Sequence, residues 1–385
     1  MEIYLDNCST TKARDEVIDE MIYYLREDYG NPSSLHRMGF NVEKKLEGVR
    51  EGISNFLRVD KDEMYFTSGG TESNNLAIQG IINKYNKKGN HIISTNIEHP
   101  SVLNTLKHYE KLGYEITYLK VDKNGLISLE ELKNAIREDT ILVAIMLVNN
   151  EIGSIQPIKE IKEIINEKNP NTILHVDGVQ AFGKIPIKIK DWGIDTLSFS
   201  GHKIHGPKGI GGLYINKSLN LEPIVFGGNQ EKGMRSGTEN IPGIMGLGKA
   251  VEIMEKNNTK DFQKVKEIKS YFTKRLIDEI KYLHINSPMG ENSSPYILNV
   301  SFEYTRGEVL LHYLEDKNIY VSTGSACSSK STEKSHVLKA LGLTDLQSEG
   351  AIRFCFSYEN TIEEIDYTME VLKESIEEIR QITMR

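Results

Sequence analysis

Six short apolar runs recur between residues 91 and 216, and most of them give way to polar or glycine residues. They are HIIST (91–95), YEITYLKV (114–121), TILVAIMLV (140–148), TILHVD (172–177), DTLSFS (195–200) and GGLYIN (211–216). Helical patterns separate them, as at 128–137 and 157–167. Buried strands alternating with helices predict an α/β fold built on a mostly parallel sheet covered on both faces. Such sheets bind ligands beyond the carboxyl ends of their strands. Three successive runs end there in chemistry-bearing residues: Asn149-Asn150-Glu151, then Asp177, then Ser200-Gly201-His202-Lys203.

At 385 residues the chain can bury a large core and divide into two domains. A long helix is expected at roughly 259–282, where Phe262, Val265, Ile268, Phe272, Leu276 and Ile280 form one stripe. It reads as the connector into a second domain. The last helix should open at Thr361-Ile362-Glu363-Glu364, a capping box, and bury Ile365, Met369, Leu372, Ile376 and Ile379. The segment 286–295 reads as a polar loop.

The charge balance, 47 basic against 55 acidic residues, argues against nucleic acid as a direct partner. No apolar run approaches a membrane span, and MEIYLDNCSTTK lacks a signal-peptide core. Three scattered cysteines, Cys8, Cys327 and Cys355, make neither a disulfide framework nor a zinc cluster. A cytoplasmic location is expected.

A lysine at a strand end suits a Schiff base to pyridoxal phosphate, so Lys203 is the first candidate. The protonated pyridine nitrogen of that cofactor needs an anionic partner, and Asp177 is the candidate. FTSGGTESNNLAI (66–78) reads as a strand end, a glycine turn and a helix starting near Thr71, a phosphate cradle together with Ser200 and His202. Alone it would be an ordinary capped helix. His99, after HIISTNIE, is placed to stack on a cofactor ring and move protons. His202 and His205 lack a convincing third ligand, so no metal site is expected. The glycines of 206–212 form neither a Walker loop nor a dinucleotide fingerprint.

Cys327 stands in the hydroxyl-rich VSTGSACSSKSTEKSH (321–336), where an exposed loop suits a travelling thiolate. Cys355, within AIRFCF, reads as a buried small hydrophobe, and Cys8, in a polar turn, as structural. Arg353 could clamp a substrate carboxylate or serve in an internal ion pair. Arg235 reads as an interface or salt-bridge residue, with Thr238 beside it able to donate to phosphate.

Together these residues resemble the cysteine desulfurases of the NifS/IscS type, in the class V aminotransferase group of fold-type I pyridoxal-phosphate enzymes. The resemblance runs from YLDNCSTT through GNPSSLHRMG, FTSGGTESNNLAI, NNEIG, HVDGVQ, SFSGHKIHGPKGIG, GMRSGTEN and STGSACSS to AIRF. It implies a mixed, mostly parallel seven-stranded sheet in a large domain, residues 14–258. A smaller α+β domain of 1–13 and 259–385 would carry the mobile cysteine loop, about 322–336. By the same resemblance Lys203 carries the cofactor, Asp177 faces its ring nitrogen, and Gln180 bonds its phenolic oxygen. His99 lies over the ring, while Gly70, Thr71, Ser200 and His202 hold the phosphate. Thr238 reaches in from the other subunit of a homodimer. Asn150 contacts the adduct with substrate, Arg353 receives the L-cysteine carboxylate, and Cys327 accepts sulfur as a persulfide. A transient iron–sulfur ligand role for Cys327 stays open.

Cys8 stands where the family has a small residue, with Ser9 after it, Val225–Asn229 replaces a histidine–glycine run, and Cys355-Phe356-Ser357 replaces Ser-Leu-Gly. The chain also ends soon after the last helix, where relatives extend a tail toward an iron–sulfur scaffold. The expected reaction is removal of sulfur from L-cysteine, with Lys203 or His99 taking the Cα proton. The persulfide would pass to an iron–sulfur scaffold or a thiolation enzyme. Rivals are a selenocysteine lyase or an aminotransferase on the same scaffold, and a degenerate non-enzymatic scaffold protein.

Overall fold

The computed structural model describes residues 2–324 and 335–384. From the N-terminus come β1 (Ile3–Tyr4), α1 (Asp15–Arg26), α2 (Arg37–Leu57), β2 (Met64–Thr67) and α3 (Gly70–Tyr85). Next are β3 (His91–Thr95), α4 (Pro100–Lys111), β4 (Glu115–Leu119), α5 (Leu129–Ala135), β5 (Thr140–Met146) and α6 (Ile158–Lys168). Then follow β6 (Ile173–Asp177), α7 (Ile189–Trp192), β7 (Thr196–Ser200), β8 (Gly211–Ile215) and α8 (Ile241–Glu279). The chain continues through β9 (Leu283–Ile285), β10 (Ile297–Phe302), α9 (Gly307–Glu315) and β11 (Ile319–Tyr320). It ends with α10 (His336–Ala340), α11 (Asp345–Glu349), β12 (Ala351–Cys355) and α12 (Ile362–Thr383).

The main sheet has seven strands in the order β2-β8-β7-β6-β5-β3-β4. Only β8 runs against the rest, pairing antiparallel with both β2 and β7. The six other strands therefore present their carboxyl ends on one side. β3, β5, β6, β7 and β8 are buried along their full length, as strands covered by helices on both faces must be. The runs read from sequence match these strands to within two residues at either end.

A second, three-stranded antiparallel sheet, β12-β10-β9, lies apart in sequence. The two-residue strands β1 and β11 pair in parallel, and Asp6 bridges to Cys355, so the N-terminal segment is tied to the C-terminal part. The long helix differs from expectation: α8 begins at Ile241, with Asn240 as its N-cap, and runs 39 residues. Its first half buries Ile244, Leu247, Val251 and Met254, and its second half Val265, Ile268, Phe272 and Leu276 of the predicted stripe, so the apolar pattern starts earlier than was read. The break between the two expected domains, at 258/259, falls inside this continuous helix. The capping box of α12 forms as expected: Thr361 Oγ1 accepts from Glu364 N, and Thr361 N donates to Glu364 Oε2.

Among the described residues no helix is long and apolar enough to cross a membrane. A buried ion pair braces the glycine-rich loop before α8. Arg50 donates two hydrogen bonds to Glu231 at 2.8 Å, and Glu231 also accepts from Phe66 N at 2.7 Å. Replacing Arg50 with Met leaves that carboxylate buried and unpaired, a cost of about 3–5 kcal/mol. The expected result in a thermal melt is a clear drop for Arg50→Met and no measurable change for Lys133→Met, whose partner Glu167 is exposed.

Candidate active site

The carboxyl ends of β2, β3, β5, β6 and β7 open onto one cavity of about 240 Å³. Each strand end delivers a different group. β7 stops at Ser200, and a single turn of 3-10 helix, Gly201–Lys203, carries His202 and Lys203 to the rim. β6 stops at Asp177, and the chain turns through Gly178 toward Gln180. β5 leads to Asn150. β3 leads to His99, which caps α4 by accepting from Ser101 N at 3.1 Å.

The end of β2 shows why glycines are needed. Gly69 has φ 147°, a conformation that L side chains rarely adopt, and α3 starts immediately after it. A Cβ on Gly70 would lie 2.5 Å from Val179 Cγ2, and one on Gly211 would lie 2.7 Å from Gly69 Cα. The helix N-terminus, with its unpaired backbone amides, is thereby brought against Ser200 and the turn after Asp177.

Lys203 Nζ donates to the carbonyls of Cys8 and of Ser9, the latter at 2.8 Å. Burial lowers its ammonium to about 8, and the charge of Lys184 adds to that shift. His202 is pushed down to about 4 by burial and by Lys203 and Lys208, so its ring is neutral. Its Nδ1 lies 3.1 Å from Thr10 Oγ1. Asp177 accepts from Asn74 Nδ2 at 2.7 Å and from Val179 N at 3.0 Å. Gln180 donates to the Cys8 carbonyl at 2.9 Å and accepts from Lys184 at 2.9 Å. Burial also lowers His99 below the ordinary imidazole value, with Asp177 partly opposing the shift.

Arg353, on β12, is fully buried and enters the cavity from the small sheet. Its Nη2 donates to Asp6 Oδ1 and to Ser9 Oγ, both at 2.8 Å, and its Nη1 donates to the Asn150 carbonyl at 3.0 Å. Nε is buried without a protein partner. Arg353 is therefore held in an internal ion pair, with the Nε–H and one Nη1–H of its five donors left over.

Gly70, Thr71, His99, Asn150, Asp177, Gln180, Ser200, His202, Lys203 and Arg353 all line the same cavity. Thr238 does not: it is exposed on the loop before α8, and neighbouring Arg235 pairs with Glu72 at 2.9 Å. Cys327 lies outside the described residues. Among the described residues no group of three or more His, Cys, Asp or Glu side chains could hold a metal ion.

Sequence reasoning underrated the N-terminal segment. Residues 8–12 form a strap across Gly201–Lys203: Thr11 N and Oγ1 both donate to the His202 carbonyl, and His205 N donates to Thr11 Oγ1. Cys8 is not an exposed turn residue but a buried cavity wall, 3% exposed. Burial opposes its ionisation, yet a hydrogen bond with Cys355 and the charges of Lys184, Arg353 and Lys203 bring it down to about 7. The missed signal was the polar run Asp6–Lys12 directly after an apolar strand, the pattern used elsewhere to find strand-end residues. Lys184 was missed because no motif surrounds it, and Asn74, although inside FTSGGTESNNLAI, because that motif was read for its glycine turn and the first residues of its helix.

This fold and strand-end site are those of fold-type I enzymes, and the chain belongs to the class-V aminotransferase family, whose model matches residues 3–368. Within it the similarity is to cysteine desulfurases. The chain is 44% identical over 382 residues to "Cysteine desulfurase IscS" of Dictyoglomus turgidum, covering 99% of this chain and 96% of that one. A solved "NifS-like protein" superposes with a TM-score of 0.92 at 40% identity, covering 98% of this chain and 100% of that one. A structure titled "SspA in complex with cysteine" gives 0.82 at 35% identity, covering 94% and 100%.

The depressed Lys203 value has a direct consequence. In cofactor-free protein an amine-acylating reagent should label Lys203 at half its maximal rate near pH 8, falling about tenfold per unit below that. Exposed lysines should follow their ordinary, higher value. Peptide mass mapping across pH 6–10 checks this.

Proposed function

We propose that the chain is a cysteine desulfurase that uses pyridoxal 5'-phosphate to convert L-cysteine to L-alanine, leaving a persulfide on Cys327. The observation that carries this reading is that Lys203, Asp177, His99 and Arg353 face one cavity. The residues present fit the cofactor. An amine whose proton affinity burial lowers, a buried carboxylate and a glycine cradle that side chains would fill match its carbonyl carbon, ring nitrogen and phosphate in turn. Lys203 would hold it covalently and Asp177 would face the ring nitrogen. Gln180 would meet the phenolic oxygen, and Gly70, Thr71, Ser200 and His202 would hold the phosphate. When bound, the cofactor supplies an electron sink for charge developing at the substrate Cα.

Arg353 binds the substrate carboxylate with its fork already oriented by Asp6, Ser9 and the Asn150 carbonyl, so little ordering is left for binding. Asn150 is positioned beside the same substrate. Once the substrate amine has displaced it, Lys203 would be free to take the proton from Cα, with His99 as the other candidate. The Cys327 thiolate attacks the substrate sulfur and the sulfur–Cβ bond breaks. Cβ gains a proton, alanine leaves, and the sulfur stays on Cys327. That a similar protein was solved in complex with cysteine supports the choice of substrate.

A homodimer accounts for the apolar surface left open. Leu25, Tyr29, Leu35 and Phe40 near the N-terminus are exposed, as is Phe226 on the loop bearing Thr238. In that dimer Thr238 would reach the partner's phosphate site, which explains its absence from its own. The division into residues 14–258 against 1–13 and 259–385 is kept, with α8 as the rod joining them. The persulfide would pass to an iron–sulfur scaffold or a thiolation enzyme. A cytoplasmic location suits the free thiols of Cys8 and Cys355.

Replacing Cys327 with Ala should keep the yellow cofactor-bound protein but abolish sulfide release from cysteine and a reductant; full release from that variant ends the proposal. Arg353→Lys removes the charged fork, worth about 1.5–3 kcal/mol, so kcat/KM for cysteine should fall about 10–100-fold, chiefly through KM.

A further inference from the structure

One fully buried amide takes no part in the steps above. Asn74 lies one turn into α3 and is 1% exposed. Its Nδ2 donates to Asp177 Oδ2 at 2.7 Å and to Ser101 Oγ at 2.9 Å, and its Oδ1 lies 3.0 Å from His175 Nε2. The donors can be assigned outward from Asp177, because a carboxylate only accepts. The amide NH₂ must therefore face Asp177, and Oδ1 must accept from His175. That puts the His175 proton on Nε2 and leaves Nδ1 to accept from the Thr196 hydroxyl at 2.8 Å. Burial keeps the His175 ring neutral, its value lowered to about 4.

The same logic runs the other way. Ser101 Oγ receives an N–H from Asn74, so its own proton goes to His99 Nδ1 at 2.8 Å. The Ser101 backbone N–H points at that same nitrogen at 3.1 Å. A ring nitrogen that accepts from two donors carries no proton. In the neutral ring the proton of His99 is then on Nε2, which has no protein partner among the described residues.

We propose that Asn74 is a positioning residue for two walls of the cavity, holding Asp177 as an acceptor and, through the Ser101 hydroxyl, reinforcing the Ser101 backbone N–H in keeping His99 as the Nε2–H tautomer. This deepens the desulfurase reading and rests on it for its consequence. His99 meets the bound substrate as a proton donor, and Lys203 is the group that takes the Cα proton. The two candidates for that step are thereby separated by hydrogen-bond geometry.

The test is ring-nitrogen NMR of the ¹⁵N-histidine-labelled holoenzyme, with the His99 signals assigned by their loss in His99→Gln. The expected spectrum shows a protonated Nε2 and a bare Nδ1. In Asn74→Leu, close in size, the Ser101 hydroxyl is released and only the backbone N–H still holds Nδ1, so the share of the Nδ1–H tautomer should rise, with kcat falling about 10–100-fold. Ser101→Ala, which keeps the Asn74–Asp177 bond and the backbone N–H at 101, should also raise the Nδ1–H share while leaving cofactor affinity within about twofold. It carries the test if Asn74→Leu does not fold. A protonated Nδ1 in the unaltered enzyme, or a single Nε2–H ring surviving in both variants, overturns the proposal. The tautomer is read without turnover, whereas failure of the unaltered enzyme to make alanine from cysteine would remove the desulfurase reading alone.

Discussion

The amine of Lys203 is held at the end of a buried strand by two backbone carbonyls, those of Cys8 and Ser9, and the rest of the site is arranged around that contact. Burial makes the charged form costly, and the nearby Lys184 makes it costlier, so the amine gives up its proton near pH 8, well below an ordinary lysine. Strand β7 brings Lys203 up from the core, while the carbonyls come from an N-terminal strap anchored on the small sheet. One hydrogen-bonded contact thereby joins the two parts of the molecule at the place where the chemistry occurs.

The same economy recurs with Arg353. It belongs to the small sheet, yet its guanidinium is fixed by Asp6 and Ser9 from the strap and by the Asn150 carbonyl from a strand end of the large sheet. A site assembled this way is sensitive to how the parts sit together. Small shifts of the strap would move the lysine acceptors and the arginine fork at once. The buried Arg50–Glu231 pair and the Glu72–Arg235 pair do comparable bracing for the loop bearing Thr238.

Much of this was legible in the sequence because the governing patterns are local. Period and apolarity mark fully buried strands such as 140–146, and parallel-sheet geometry then puts Asp177 and Lys203 on one edge. What was not legible depends on contacts between segments far apart in the chain. Cys8 reads as a turn residue until the fold brings Lys203, 195 positions further on, to its carbonyl. Asn74 looks like any helix asparagine until Asp177, Ser101 and His175 converge on it. The start of α8 was missed because its first half is packed on both α1 and α2, so the one-sided stripe that marks an amphipathic helix is blurred there.

The central claim is that Lys203, and not the more deeply buried Lys184 nearby, is the amine that takes the cofactor. Borohydride treatment of the purified holoenzyme, followed by digestion and mass spectrometry, reads this directly. The account predicts a reduced pyridoxyl phosphate group on the peptide containing Lys203 and none elsewhere. Finding it on Lys184 instead, or finding no modified lysine in protein that retains the cofactor, would contradict the account.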